Sequence, residues 1–373
     1  MTTNGGQRRV APIAVNASIL GEEPTGLGVY AIKLVRALDR LRDDLVVFTS
    51  RPEALGPVRA PIVRIPGAVR PERGPAGHLA RLVWLQTAFR WRVRGRACRA
   101  VLNTMPEAVL ADGPPQVTVV HDLLPLHFPA EYPRQQHYFR HFVPRVLRCS
   151  RVVVADSEST RQDVIRHYRI DPVRCRVIYP GYEAGAFAED GEPVSRTAGP
   201  PYFLYVGNLF PHKNLERVVA ALAVVRRERS CRLVIRGDGR HRAALEATIR
   251  ALAVEDAVTF APYAAERALR DLYAGAVALV FPSLYEGFGF PVLEAMACGT
   301  PVITSRTSSL PEVAGDAALL VDPTSTAELA GAMERLLADE RLREALRHRG
   351  RAQARRFSWG DTAAQFSALL DAL

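Results

Sequence analysis

The chain is a succession of short apolar runs, most of them closed by glycine, proline or a polar pair, and many followed by a stretch with hydrophobic residues every three or four positions. Apolar runs of this length suit strands buried on both faces of a parallel sheet, and the amphipathic stretches suit the helices that return the chain. In the first half the pattern predicts strands over 10–17, 45–48, 62–65, 100–103, 116–120 and 152–155, with a helix over 29–41. Residues 180–201, PGYEAGAFAEDGEPVSRTAGPP, lack periodicity and are rich in glycine, proline and acids, which predicts a linker. The rhythm then restarts with strands over 202–206, 232–235, 257–260, 276–281, 301–304 and 318–321. Helices are predicted over 215–229, 243–252, 266–273, 328–337 and 341–355. Alternating strands and helices imply an α/β fold with parallel sheets. A length of 373 residues implies two domains, placed at 1–185 and 186–356, with a short amphipathic segment, 357–373, behind them.

The stretch on which this organisation turns is 282–300, PSLYEGFGFPVLEAMACGT. It follows the apolar run 276–281, so Glu286 and Glu294 lie just past a strand's carboxyl end. Gly287 and Gly289 allow a close backbone approach to a ligand, and Pro291 suits the first turn of a helix beginning near Phe290. The free amides and positive dipole end of that helix suit an anion, while Glu294 in its first turn reaches hydroxyls in the same crevice. Phosphate and sugar are thus expected to share one site.

Other chemistry also falls at strand ends. Gly26 and Gly28 lie in a glycine loop between the first strand and the first helix, His121 and Asp122 close the strand 116–120, and Lys213 follows the strand 202–206 in the loop GNLFPHKN. Residues 156–161, DSESTR, read as a helix start and are assigned a mainly structural role. The net charge of +10 changes this picture little. Only Lys33 and Lys213 among the 49 basic residues are lysines, so the arginine excess is a compositional bias, and a nucleic-acid partner is not expected. Five scattered cysteines without a C-x-x-C pair fit a reduced compartment, and no metal-ligand spacing is seen among the nine histidines. With no apolar leader and no run of about 20 apolar residues, a cytoplasmic protein is expected.

Residues 78–99 carry Arg81, Arg90, Arg92, Arg94, Arg96 and Arg99 among Trp84, Phe89 and Trp91. Two readings compete: a basic amphipathic helix on the inner face of an anionic membrane, or a surface helix with its aromatics in the core and its arginines solvated. The second is preferred.

The segment EGFGFPVLEAMACGTPVI resembles the E-x7-E signature of retaining glycosyltransferases of the GT-B class, specifically family 4, and the likeness extends over almost the whole chain. It implies two Rossmann-like domains facing across a cleft, the second around a nucleotide-sugar donor and the first around the acceptor. The terminal segment is then a helix crossing back onto the first domain. Residue by residue, the likeness implies that Glu294 bonds the ribose, and that Glu286 with the amides of Gly287, Phe288, Gly289 and Phe290 holds the transferred sugar. It implies that Lys213, in the loop that includes Gly207 and Asn208, meets the departing diphosphate, with no metal and no cofactor. TGLG resembles the family's N-domain glycine loop, facing donor phosphates or acceptor through Gly26 and Gly28. VTVVHDLLPLHFP resembles the segment whose histidine, here His121, contacts the donor sugar. Asp122 either orients that imidazole, positions the acceptor or satisfies backbone amides.

One departure stands out: many relatives carry arginine where this chain has Asn208, so the second cation on the diphosphate is absent or comes from His212, Arg236 or backbone amides. The segment 305–321 resembles the family's closing segment near the nucleotide, with Ser308 and Ser309 as contacts. The motifs VGNLxPHKN, TGLG and SSLPEV resemble mannosyl- and rhamnosyltransferases of bacterial surface polysaccharide assembly, which favours GDP-mannose as donor. UDP-glucose, UDP-N-acetylglucosamine and dTDP-deoxysugars fit the same motifs, and the acceptor is a glycan, a lipid-linked or a small molecule. The rival readings are nucleotide-sugar epimerisation on the same fold and a non-catalytic sugar-nucleotide or membrane-binding module. A dinucleotide-dependent oxidoreductase is disfavoured, for no G-x-G-x-x-G joins the first strand to a helix.

Overall fold

The computed structural model describes residues 11–22, 25–182, 187, 199–262 and 266–373. Among the described residues the strands fall into two sheets, and every pairing is parallel. The first contains β1 (Ile13–Asn16), β2 (Leu45–Thr49), β3 (Ile62–Arg64), β4 (Ala100–Asn103), β5 (Gln116–Val120), β6 (Val152–Ala155) and β7 (Cys175–Val177), in the order β3-β2-β1-β4-β5-β6-β7. The second contains β8 (Tyr202–Val206), β9 (Arg232–Arg236), β10 (Val258–Ala261), β11 (Ala278–Phe281), β12 (Val302–Ser305) and β13 (Leu319–Val321), in the order β10-β9-β8-β11-β12-β13. The inner strands β1, β4, β5, β8, β11 and β12 are buried along their whole length, as a sheet covered by helices on both faces requires.

The strand order reverses once in each sheet, between β1 and β4 and between β8 and β11. Loops leaving adjacent strands at such a switch point diverge to opposite faces and leave a crevice at the carboxyl ends. The loop carrying Lys213 leaves β8 and the loop carrying Glu286 leaves β11, so strand order alone sets these two residues on either side of one opening.

Several elements differ from expectation. The first helix spans Gly26–Leu41, so Gly26 and Gly28 lie in its first turn and not in a loop; Thr25 stands extended at its N-cap. The fourth-position bond from Val29 N–H to the Thr25 carbonyl closes that turn despite the two glycines. The helix Leu215–Val225 stops four residues early, where a run of arginines and glutamate replaces its apolar stripe. Helices at Leu124–His127, Gln135–His141 and Val143–Cys149 were not expected, because Pro125, Pro133 and Pro144 interrupt their periodicity. Strand β7 was missed because only three residues pair.

The basic stretch forms a helix at Gly74–Trp84, a π-helical turn at Leu85–Phe89 and a further helix at Arg90–Gly95. Trp84 and Phe89 pack against Phe48, as the core reading requires. Trp91 does not: it is 74% exposed, in one row with Leu79 and Val83. The residue added by the π turn keeps positions 79, 83, 87 and 91 in register on one face. The terminal helix, Trp359–Asp371, buries Ala363, Phe366 and Leu370 in the first domain's core beside Ile13, Tyr30 and Leu34. The expected boundary at 185/186 and most of the linker lie outside the described residues.

Candidate active site

The second domain contributes one wall. After β11 the chain runs through Pro282 to Gly289 and enters the helix Phe290–Ala297, with Pro291 in its first turn. Gly289 caps this helix at φ 112°, a conformation that side chains resist, and a Cβ there would stand 2.8 Å from Leu310 Cδ2. Glu286 and Lys213 meet in the opening, Nζ to Oε1 at 2.6 Å, and both side chains are largely buried. The Glu286 amide donates to Ser308 Oγ at 3.0 Å, and Ser309 Oγ contacts the carbonyls of Glu286 and Phe288, so the two serines set the loop's path. Glu294 lies one turn into the helix, where its Oε2 accepts the Tyr273 hydroxyl at 2.9 Å. Tyr273 is fully buried and is held in turn by Thr300 Oγ1, which donates to its carbonyl. Burial, and then the neighbouring Glu294 carboxylate, keep that phenol protonated far above its ordinary range.

The first domain contributes the facing wall. His121 follows β5, its Nδ1 2.6 Å from Asp156 Oδ2 and its Nε2 2.8 Å from the Thr104 carbonyl. A carboxylate and a carbonyl are both acceptors, an arrangement that favours the doubly protonated ring. Burial alone would lower its pKa, but Asp156, Thr104 and Asp122 together outweigh burial and hold the imidazole above its usual value. Tyr30 meets the ring edge-on at 4.5 Å. Asp122 accepts the Leu124 amide at 2.9 Å. Burial raises its carboxyl pKa and Glu286 adds to that, against the Leu124 amide, His121 and Lys213. His121 and Asp122 line a cavity of about 320 Å³ whose other walls include Ile19, Leu27, Met105 and Phe139.

The two walls touch. A Cβ on Gly287 would lie 2.0 Å from the His121 carbonyl oxygen, so only glycine fits, and Thr160 Oγ1 contacts both the His121 and Gly287 carbonyls. The Tyr285 hydroxyl donates to Asp163 Oδ2 at 2.8 Å. Glu312 accepts the first amides of the helix Glu158–Tyr168 and the Tyr179 hydroxyl, crossing the domain boundary to cap that helix. His212, also buried, pairs through Nδ1 with Glu131 Oε2 at 2.6 Å.

The structure therefore brings together His121, Asp122, Lys213, Glu286 and Gly287, with Glu294 one helical turn from Phe290. The ring of Phe288 packs on Tyr179, Phe290 and Phe357, and its carbonyl accepts Ser309 Oγ. Gly207 takes φ 144° beside Tyr205, and Asn208 is exposed, its carbonyl accepting the Tyr205 hydroxyl. Gly26 leaves open space around a Cβ, while its neighbour Leu27 reaches the cavity. Two expectations change. Asp156, and not Asp122, orients the imidazole of His121. His212 is no substitute cation, because burial and the adjacent Lys213 depress its pKa more than Glu131 raises it. Asp156, Thr160, Tyr273 and Glu312 were not singled out by sequence; only the helix-start pattern at 156–161 pointed to the first two.

Residues 24–185 match the family described as Glycosyltransferase Family 4, and residues 186–353 match that described as Glycosyl transferases group 1. The chain is 29% identical to the O-antigen chain mannosyltransferase RfbU of Salmonella typhimurium over 315 residues, 83% of this chain and 86% of the relative. It is 30% identical to the O-antigen chain mannosyltransferase B of Escherichia coli over 263 residues, 67% of this chain and 68% of the relative. Sucrose-phosphate synthase from Thermosynechococcus elongatus superposes with a TM-score of 0.78 at 23% identity, covering 96% of this chain and 98% of that one.

Proposed function

The chain belongs to the family 4, group 1 glycosyltransferases and has their GT-B fold, and from that premise we propose that it moves mannose from GDP-mannose, with retention, onto a glycan acceptor. The naming of two relatives as O-antigen chain mannosyltransferases supports this donor and acceptor class. The observation that carries the reading is the Lys213–Glu286 contact at the mouth of the helix Phe290–Ala297, opposite His121 and Asp122.

The ammonium of Lys213 and the carboxylate of Glu286 neutralise each other. A bound diphosphate takes Lys213 for itself, which frees Glu286 to accept hydrogen bonds from hydroxyls of the sugar. As the acceptor oxygen bonds to the anomeric carbon and the bond to the diphosphate breaks, the acceptor's proton passes to the departing phosphate oxygen, and Lys213 and the first amides of the helix meet the growing negative charge. On this reading those groups do the work that a divalent cation does elsewhere, and Glu294, steadied by Tyr273, bonds the ribose. Asp122 receives the acceptor hydroxyl at the edge of the largely apolar cavity. The exposed Leu79, Val83 and Trp91 with Arg94 and Arg96 then rest on an anionic membrane that presents a lipid-linked acceptor.

The test is a thermal-shift panel of GDP, UDP, dTDP and their sugars, with and without magnesium, on wild type and Glu294→Ala. GDP-mannose at a hundredfold excess over its dissociation constant raises stability by about 2.7 kcal/mol, without need of magnesium, and the shift shrinks in the variant. A response to uridine nucleotides alone overturns the donor, and a flat panel overturns the nucleotide-sugar site.

A further inference from the structure

Behind the crevice, three side chains of the first domain converge on one point outside the donor and acceptor walls. His127 comes from the helix Leu124–His127, and Asp163 and His167 stand four residues apart on one face of the helix Glu158–Tyr168. Their ligating atoms all lie within 4.8 Å of one another. His127 Nε2 is 3.0 Å from Asp163 Oδ2, and the His127 and His167 rings stand perpendicular with centroids 5.4 Å apart. We propose that His127, Asp163 and His167 form a binding site for a zinc-class divalent metal ion.

The geometry is close to what such an ion needs. Metal–ligand bonds of about 2.0–2.1 Å in a tetrahedron set ligand atoms about 3.3 Å apart and two imidazole centroids roughly 5 Å apart. The His127–Asp163 edge and the ring separation already meet this, and a small turn of the exposed His167 ring closes the remaining edge. The carboxylate also has an outer support: Asp163 Oδ2 accepts the Tyr285 hydroxyl at 2.8 Å, which fixes its orientation as metal-bound carboxylates are commonly fixed. Two imidazoles with one carboxylate select zinc, nickel or copper over magnesium and calcium, which prefer all-oxygen shells. The surroundings narrow the choice of ion, since Arg166 lies 3.7 Å from Asp163 Oδ1 and Arg140, Arg148 and Arg169 line the adjoining cavity. These charges repel any cation, so a metal ion stays here only where its bonds to two imidazoles and a carboxylate offset that repulsion, which magnesium and calcium do not achieve. No chain-local spacing announces the site because His127 lies 36 residues from Asp163.

The experiment uses the full chain without an affinity tag, stripped with chelator, in a Cys149→Ser background that removes the exposed thiol. Zinc uptake is followed by equilibrium dialysis and elemental analysis, with thermal unfolding in parallel. One equivalent of zinc is expected, raising the melting temperature, and His127→Ala and His167→Ala are each expected to weaken binding by about tenfold or more. His167 is exposed, so metal-free His167→Ala should melt with the metal-free parent, whereas His127→Ala also loses the contacts to Asp163 and Tyr285 and is judged by its zinc uptake. Equal uptake by parent and double variant, or displacement of zinc by equimolar magnesium, overturns the proposal.

Discussion

At the scale of single residues, His121 shows how charge is held in the crevice. Its imidazolium is favoured in the folded chain because Asp156, with Thr104 and Asp122, outweighs burial, so its pKa lies above the unfolded value of about 6.5. Stability from this pair is therefore fully present below that unfolded value and is lost as pH rises through the raised one. Wild type should lose melting temperature more steeply than Asp156→Asn as pH rises above the unfolded value of about 6.5; parallel profiles would remove Asp156 from this role. Lys213→Ala should lower kcat/KM by about 10²–10³-fold, worth about 3–4 kcal/mol, since in the proposed reaction it removes the charge that meets the leaving group. Glu294→Ala should weaken nucleotide binding more than Glu286→Ala, which calorimetry with GDP would read directly, and equal affinities would contradict the assignment. The residues in these last two tests were legible from sequence because glycines, strand ends and acids announce themselves within a few positions. Asp156 and Tyr273 were not, because each acts on a residue tens of positions away that only the tertiary fold supplies.

At the scale of elements, strand order decided more than any motif. Periodicity located nearly every long strand and helix to within a few residues, but the reversal of order at β8 and β11 is a property of the sheet, and it explains why Lys213 and Glu286 meet. The basic stretch shows the limit of pattern reading. Trp84, Phe89 and Trp91 look equivalent along the chain, yet the π turn sends two inward and one outward. If the outward row is a membrane face, Trp91→Ala should reduce co-sedimentation with vesicles rich in anionic lipid, and added salt should weaken what remains. Unaltered binding would leave Trp91 a solvated surface residue. Melting should shift by no more than about 0.5 kcal/mol, as at other exposed positions.

At the scale of the whole molecule, the proposed reaction draws on both domains at once. Lys213, Glu286 and Glu294, the proposed donor groups, belong to the second domain, while His121, Asp122 and the apolar cavity belong to the first. Glycine at position 287 allows the two walls to meet, for a methyl group there would overlap the His121 carbonyl oxygen. Gly287→Ala should therefore separate two properties that a misfolded variant would lose together. Nucleotide binding should persist, since its groups lie on one domain, while turnover falls by a hundredfold or about 2.7 kcal/mol because donor and acceptor no longer meet. Glu312→Gln should do the same more mildly, by weakening the charge that caps the helix Glu158–Tyr168 from across the boundary. Small-angle scattering with GDP bound would show both variants more extended than wild type. A compact Gly287→Ala protein with normal turnover would mean that catalysis does not require the contact between Gly287 and His121.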